Sequence, residues 1–186
     1  MRSVLRHLPN FLTGLRLVAA PALAFLLVSG SDRTALGVFA FAGLSDAADG
    51  FLAKRFGVTS RFGQFLDPAA DKLLMVAAFL TLTVLNIAPL WLTFLVVARD
   101  AAIVGGIVLA RVLALPVRIE PLLVGKASTA MQIAYIALAL LLLTFGLRWP
   151  DSERYAADAT AFLTIASWLA YAGVGINALA RRRRAA

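Results

Sequence analysis

The chain has 186 residues, 61% of them hydrophobic and only 15% charged, with a net charge of +8 and no cysteine. So apolar a composition excludes an ordinary soluble domain, and the missing cysteines exclude disulfide and thiol chemistry. The length leaves room for one domain, residues 1–186, and for no separate soluble module.

In chain order, "MRSVLRHLPN" opens with a short basic stretch whose apolar residues are Val4, Leu5 and Leu8. It reads as an amphipathic helix lying on a membrane surface over residues 1–9, and no A-x-A cleavage site follows to make it a removable signal. Apolar runs then recur at 11–29, 34–53, 69–86, 89–111, 126–147 and 159–180. Each has the length of a bilayer-crossing helix, about 20 residues, and is too long for a strand. Because only helices and closed barrels satisfy the backbone in lipid, the expected fold is an all-α integral membrane protein. It has six transmembrane helices preceded by the surface helix. "GSDR" (30–33), "NIAP" (86–89) and "RWPDSERYAAD" (148–158) connect the runs on one side, residues 54–68 and 112–125 on the other, and a basic tail closes the chain at 181–186.

The placement of the charge sets the orientation. One side collects Arg2, Arg6, Lys54, Arg55, Arg61, Arg111, Arg118 and Arg181 to Arg184, eleven in all, against Arg33, Arg148 and Arg154 on the other. That positive-inside bias predicts a multi-pass protein of the cell inner (plasma) membrane with both termini cytosolic. The basic residues read as topology signals and contacts to anionic membrane lipids, not as a nucleic-acid surface.

Against this background, "SDAADGFLAKRFGVTSRFGQFLDPAADKLL" (45–74) places four carboxylates close together at the cytosolic side. An ionisable residue at membrane depth is a functional hypothesis by default. Asp46 and Asp49 are spaced i, i+3 at the end of the second helix, and Asp67 and Asp71 i, i+4 at the start of the third, so each pair shares a helix face. A short connection favours antiparallel neighbours, which would gather the four into one oxygen cluster. Hard oxygen ligands select Mg²⁺, Mn²⁺ or Ca²⁺ over zinc, and such a cation pairs naturally with substrate phosphates. Gly50 and Gly63 flank the acids, and with Ala53 they strip one wall of side chains for a nucleotide or phosphate. The bland alternatives are tight helix packing for the glycines, pairing of the acids with Lys54, Arg55, Arg61 and Lys72, and an N-cap role for Asp67 ahead of Pro68.

The run Asp46-x2-Asp49-Gly50-x2-Ala53-x9-Gly63-x3-Asp67-x3-Asp71 resembles the signature of the CDP-alcohol phosphatidyltransferases, D-x2-D-G-x2-A-R-x8-G-x3-D-x3-D, at seven of its eight fixed positions. The eighth, an Arg in the family, is Lys54 here, followed by Arg55; Lys keeps the charge but loses the two-pronged phosphate grip. "PNFLTGLR" (9–16) is similar to the family's opening P-N-x-L-T-x-x-R. The resemblance implies two divalent ions, Mg²⁺ or Mn²⁺, held by Asp46, Asp49 and Asp67, with Asp71 beside them as general base on the acceptor hydroxyl. It also implies CDP-diacylglycerol as donor, bound around Gly50, Ala53, Lys54, Arg55 and Gly63, release of CMP, and a homodimer.

For the acceptor, Arg99 and Asp100 in "VVARDAAIVGG", Arg111, and Lys126 in "GKASTAMQ" suggest a basic pocket for an anionic glycerol-type alcohol. Glycerol 3-phosphate and phosphatidylglycerol are the two candidates, with inositol phosphate as an alternative. The plainer readings are snorkelling for Arg111 and Arg16 and an aspartate partner for Arg99. A transporter with an acidic cation site is the competing class, but it calls for midplane acids and internal repeats, and the sequence has neither.

Overall fold

The computed structural model describes the backbone of residues 2–56, 63–113, 122–147 and 150–185, and the side chains of 14–46, 69–113, 122–147, 151–178 and 180. Among these residues there are six helices and no strand: α1 (Arg2–Val28), α2 (Asp32–Phe56), α3 (Gly63–Val84), α4 (Leu90–Val112), α5 (Leu123–Phe145) and α6 (Pro150–Ala185). Six helices therefore stand where six apolar runs were read. Three segments, Leu90–Val112, Leu123–Phe145 and Asp151–Ala178, are each long and apolar enough to cross a membrane, and Gly14–Val28 is a shorter apolar helix.

Two expectations need correction. The surface helix over 1–9 is not a separate element, because α1 runs unbroken for 27 residues from Arg2. Pro9 lies inside it; its fixed φ suits a helix, and one backbone bond is forgone. Nor does Asp67 cap α3, since that helix begins four residues earlier at Gly63. Pro68 is interior, where it offers no N–H to the ladder.

The chain divides into two compact units. The first comprises Met1–Ile87 with Ile136–Arg148, the second Ala88–Tyr135 with Trp149–Ala186. In the first, α1 packs against both α2 and α3. The contact is built from one stripe per helix: Ala19, Ala20, Leu23 and Leu27 on α1; Ala35, Phe39 and Ala42 on α2; Ala70, Leu74, Met75, Ala78, Phe79 and Leu82 on α3. Alanines recur in all three because helices in lipid gain by close backbone approach, without a hydrophobic drive between them. Large apolar side chains point outward instead, Phe25, Phe41, Leu44, Leu73 and Val84 among them.

Three turns in this unit end their helices in the same way. Gly30, Asn86 and Gly146 adopt left-handed φ of 73°, 58° and 64°. The residue after each donates its N–H five residues back, Ser31 to Leu26 at 2.8 Å, Ile87 to Leu82 at 2.8 Å and Leu147 to Leu142 at 2.9 Å. This is the Schellman closure, which satisfies carbonyls that a helix end would otherwise leave open. The Thr144 hydroxyl ties the end of α5 to the start of α2 through the Asp32 carbonyl, 3.3 Å away.

The second unit is cored differently. α4 buries Leu92, Thr93, Val96, Arg99 and Asp100, and it packs against α6, whose stripe is Ala157, Thr160, Ala161, Thr164 and Ser167. The α6 threonines turn their hydroxyls to carbonyls one turn back, Thr160 to Ala156 and Thr164 to Thr160, both at 2.7 Å. A buried hydroxyl in lipid is thereby satisfied within its own helix.

Candidate active site

The three stripes that pack the first unit each end in a charged residue. On α1 the series Leu27, Leu23, Ala20, Ala19 continues one turn to Arg16, which is 2% exposed. On α2 the series Ala35, Phe39, Ala42 continues four residues to Asp46, and on α3 Asp71 lies one turn before Leu74 and Met75. The same packing that joins the helices therefore brings these three side chains together. Arg16 Nη1 donates to Asp46 Oδ1 at 2.7 Å, and the same nitrogen donates to Asp71 Oδ1.

Burial is uneven across the group. The guanidinium side chain is 2% exposed, while the carboxylate side chains of Asp46 and Asp71 are 49% and 39% exposed. One positive charge lies on the inside and two negative charges face outward, leaving these three groups with one negative charge in excess. Ion–ion hydrogen bonds of this kind are roughly twice as strong as neutral ones, and they offset the cost of an arginine at membrane depth. Snorkelling is therefore not what Arg16 does. Its position on the Ala20, Leu23, Leu27 face is legible in the sequence as an i, i+4, i+7, i+11 series, a signal the composition-level reading passed over.

Asp49 lies one turn beyond Asp46 on α2, and Asp67 one turn before Asp71 on α3. Gly50, Ala53, Lys54 and Arg55 occupy the last turns of α2, and Gly63 is the first residue of α3. The side chains of all of these lie outside the described residues, as does Arg61. Among the described residues no three metal-ligating side chains converge; the described part of the acid cluster is the pair Asp46 and Asp71. Two carboxylates from separate helices, half exposed and converging on one point, are hard oxygen donors of the type a divalent ion requires.

In the second unit Arg99 has a different setting. Its Nη1 donates to Asp100 Oδ1 at 2.7 Å, its Nη2 and Nε to Ser167 Oγ at 2.5 and 3.2 Å, and its guanidinium stands 5.9 Å from the Tyr171 ring centre. Arg99 and Asp100 are both buried, at 4% and 8% side-chain exposure. Arg99 thus has the aspartate partner of its plainer reading, Asp100 beside it in sequence. Arg111, in the last turn of α4, and Lys126, near the start of α5, are exposed.

The "GKASTAMQ" segment also acquires a structural meaning. A Cβ on Gly125 would stand 2.9 Å from the Tyr171 hydroxyl, and that hydroxyl accepts the Leu122 N–H at 3.2 Å. Gln132 Nε2 donates to Thr164 Oγ1 at 3.2 Å, and Thr129 bonds the Gly125 carbonyl at 3.2 Å. Gly125 and Gln132 thus serve the seam between α5 and α6.

A family model described as CDP-alcohol phosphatidyltransferase matches residues 6–176. The chain belongs to the CDP-alcohol phosphatidyltransferase family. The match takes in Arg16, all four aspartates and both glycines beside them. The chain is 32% identical over 180 residues to the cardiolipin synthase (CMP-forming) of Rattus norvegicus, covering 88% of this chain and 60% of that protein. It is 31% identical over 180 residues to a chloroplastic CDP-diacylglycerol–glycerol-3-phosphate 3-phosphatidyltransferase of Oryza sativa, covering 88% and 52%. Against the cardiolipin synthase (CMP-forming) of Streptomyces coelicolor it is 37% identical over 148 residues, covering 76% and 67%. This family member spans about half to two thirds of the length of these curated relatives.

Proposed function

We propose that the protein is a phosphatidyltransferase of phospholipid synthesis. It moves the phosphatidyl group of CDP-diacylglycerol to an anionic glycerol-type alcohol and releases CMP. The observation that carries this reading is the convergence of Asp46 and Asp71, two fixed positions of the family signature, from separate helices onto one buried cation. Family membership and the printed activities of the relatives support it.

Asp46, Asp49 and Asp67 would hold two divalent ions, Mg²⁺ or Mn²⁺. When bound, such ions neutralise the pyrophosphate and the charge on departing CMP. The chain's own residues do the rest. Asp71, half exposed and held at one oxygen by Arg16, takes the proton of the acceptor hydroxyl as its oxygen attacks the β-phosphorus. General-base help of this kind contributes typically about 10²–10⁴-fold. Gly50, Ala53 and Gly63 leave room for the nucleotide, and Lys54 and Arg55 supply positive charge to its phosphates. The acyl chains of the donor stay in the bilayer, against the outward-facing apolar side chains.

For the acceptor we favour phosphatidylglycerol, giving cardiolipin, on the names of the rat and Streptomyces relatives. Glycerol 3-phosphate, giving phosphatidylglycerophosphate, is the second reading and rests on the rice relative. Arg111 and Lys126, both exposed, are the open cations for such an anion. The positive-inside bias supports six crossings of the inner membrane with both termini and the site at the cytosolic face, and the family resemblance supports a homodimer.

The deciding experiment is CMP release by purified protein given CDP-diacylglycerol and Mg²⁺ or Mn²⁺, with each acceptor in turn. Turnover with one acceptor and loss of turnover in EDTA are expected. Turnover that persists in EDTA or in Asp71→Asn overturns the mechanism, and no CMP release with either acceptor overturns the substrate assignment.

A further inference from the structure

The geometry points to Arg16 as a positioning residue: a permanent cation beneath the acid cluster that holds α2 and α3 together before any divalent ion binds. It rests on the phosphatidyltransferase reading in taking Asp46 and Asp71 as the working acids.

A single nitrogen, Arg16 Nη1, reaches a carboxylate on α2 and another on α3, 30 and 55 residues away in sequence. Each of those helices packs on α1, the helix that delivers the guanidinium. Two carboxylates on neighbouring helices repel each other, the more strongly the less water surrounds them. Something positive must therefore be present whenever the helices are packed and no ion is bound. Arginine suits that task because it stays protonated at any pH a protein meets, so the cation is present whether or not a divalent ion is.

The burial pattern separates the two cations. Arg16 approaches from the inside, at 2% exposure, and the carboxylates are 49% and 39% open on the other side. An ion arriving from the cytosol meets acids already held in place and need not displace the guanidinium. In this arrangement Arg16 acts through the acids: it sets where they stand.

The consequence is a linkage between Arg16 and metal. In the wild-type protein the guanidinium already compensates the acids, so ions add modestly to stability. Without it, bound ions supply positive charge that the guanidinium no longer provides, and a ligand that binds only the folded state stabilises it the more its concentration exceeds its Kd.

The test is thermal melting of the full-length protein in detergent, in EDTA and in saturating Mg²⁺, for wild type, Arg16→Gln, Arg16→Lys and the double variant Arg16→Gln/Asp71→Asn. Arg16→Gln is expected to lose at least about twice as many degrees in EDTA as in Mg²⁺. Removing one acid in the double variant should recover part of the EDTA loss, and Arg16→Lys should keep most of the wild-type stability in EDTA. Purification of Arg16→Gln only when Mg²⁺ is present supports the same conclusion. If Arg16→Gln folds under neither condition, Arg16→Lys decides: near-wild-type melting in EDTA supports the clamp, and equal loss with and without ion overturns it. Equal losses for Arg16→Gln in EDTA and Mg²⁺, or no recovery in the double variant, also overturn it and leave Arg16 a packing residue. None of these readouts needs turnover. A wild-type protein that releases no CMP thus counts against the catalytic reading alone.

Discussion

The two buried arginines make opposite uses of the same side chain. Arg99 pairs with its sequence neighbour Asp100, and both are covered; Ser167 and the Tyr171 ring complete the enclosure. Arg16 reaches across to two other helices, and its described acid partners, Asp46 and Asp71, remain half open. In the first arrangement the described pair balances its own charge under cover. In the second, the three described side chains sum to one negative charge in excess and the two acids are open, as the proposed metal and base roles require. Burial of a charge alone therefore does not mark a working site. The proposed site differs in that its buried charge has exposed partners.

Substitutions can break this contrast at either end. The largest effect is expected from Asp71→Asn, which should lower kcat for CMP release about 10²–10⁴-fold while the protein still purifies as a folded species; retained activity would make the open cluster as inert as the closed one. Next is Arg99→Leu, which strands Asp100 in a buried setting. Removing one partner of a buried pair costs about 3–5 kcal/mol, readable as a lower denaturation midpoint in detergent. Arg99→Leu/Asp100→Leu should restore most of it, since a neutral pair of similar bulk is often no worse than the ion pair. Gly125→Ala should cost about 1–3 kcal/mol, because the new methyl would meet the Tyr171 hydroxyl 2.9 Å away. Tyr171→Phe, which removes the acceptor of the Leu122 N–H, should cost about 1 kcal/mol, and the two losses should not add if both act at one contact. Smallest is Lys54→Arg, which restores the family's forked donor and should lower KM for CDP-diacylglycerol by less than about tenfold.

The helices were legible because hydropathy and length in lipid leave few alternatives; each of the six apolar runs lies within a helix but for a few end residues. That Asp46 and Asp49 lie one turn apart on one helix, and Asp67 and Asp71 one turn apart on the next, followed from helical spacing alone. The contact of Asp46 and Asp71 with Arg16 did not. Lys54, Arg55, Arg61 and Lys72 are near in sequence and invite the assignment, whereas Arg16 is remote in sequence and near only after α1 has packed. Periodicity gives the face a residue occupies, not the helix that face will meet. The unbroken α1 was missed for a related reason: a change from amphipathic to apolar pattern at residue 10 alters the environment of a helix without ending it. Arg99 was suspected of an aspartate partner, and Asp100 beside it in sequence proved to be that partner because both fall on the buried side of α4.

The long reach of Arg16 also bears on how the chain is made. A ribosome releases this arginine 30 residues ahead of Asp46 and 55 ahead of Asp71. A guanidinium at the centre of an inserting segment costs about 2.5–3.5 kcal/mol on translocon scales, and less toward an end such as the one where Arg16 lies in the apolar helix Gly14–Val28. Pairing with Asp46 on the second helix lowers that cost, which favours entry of the opening two helices into lipid as a hairpin over entry one at a time.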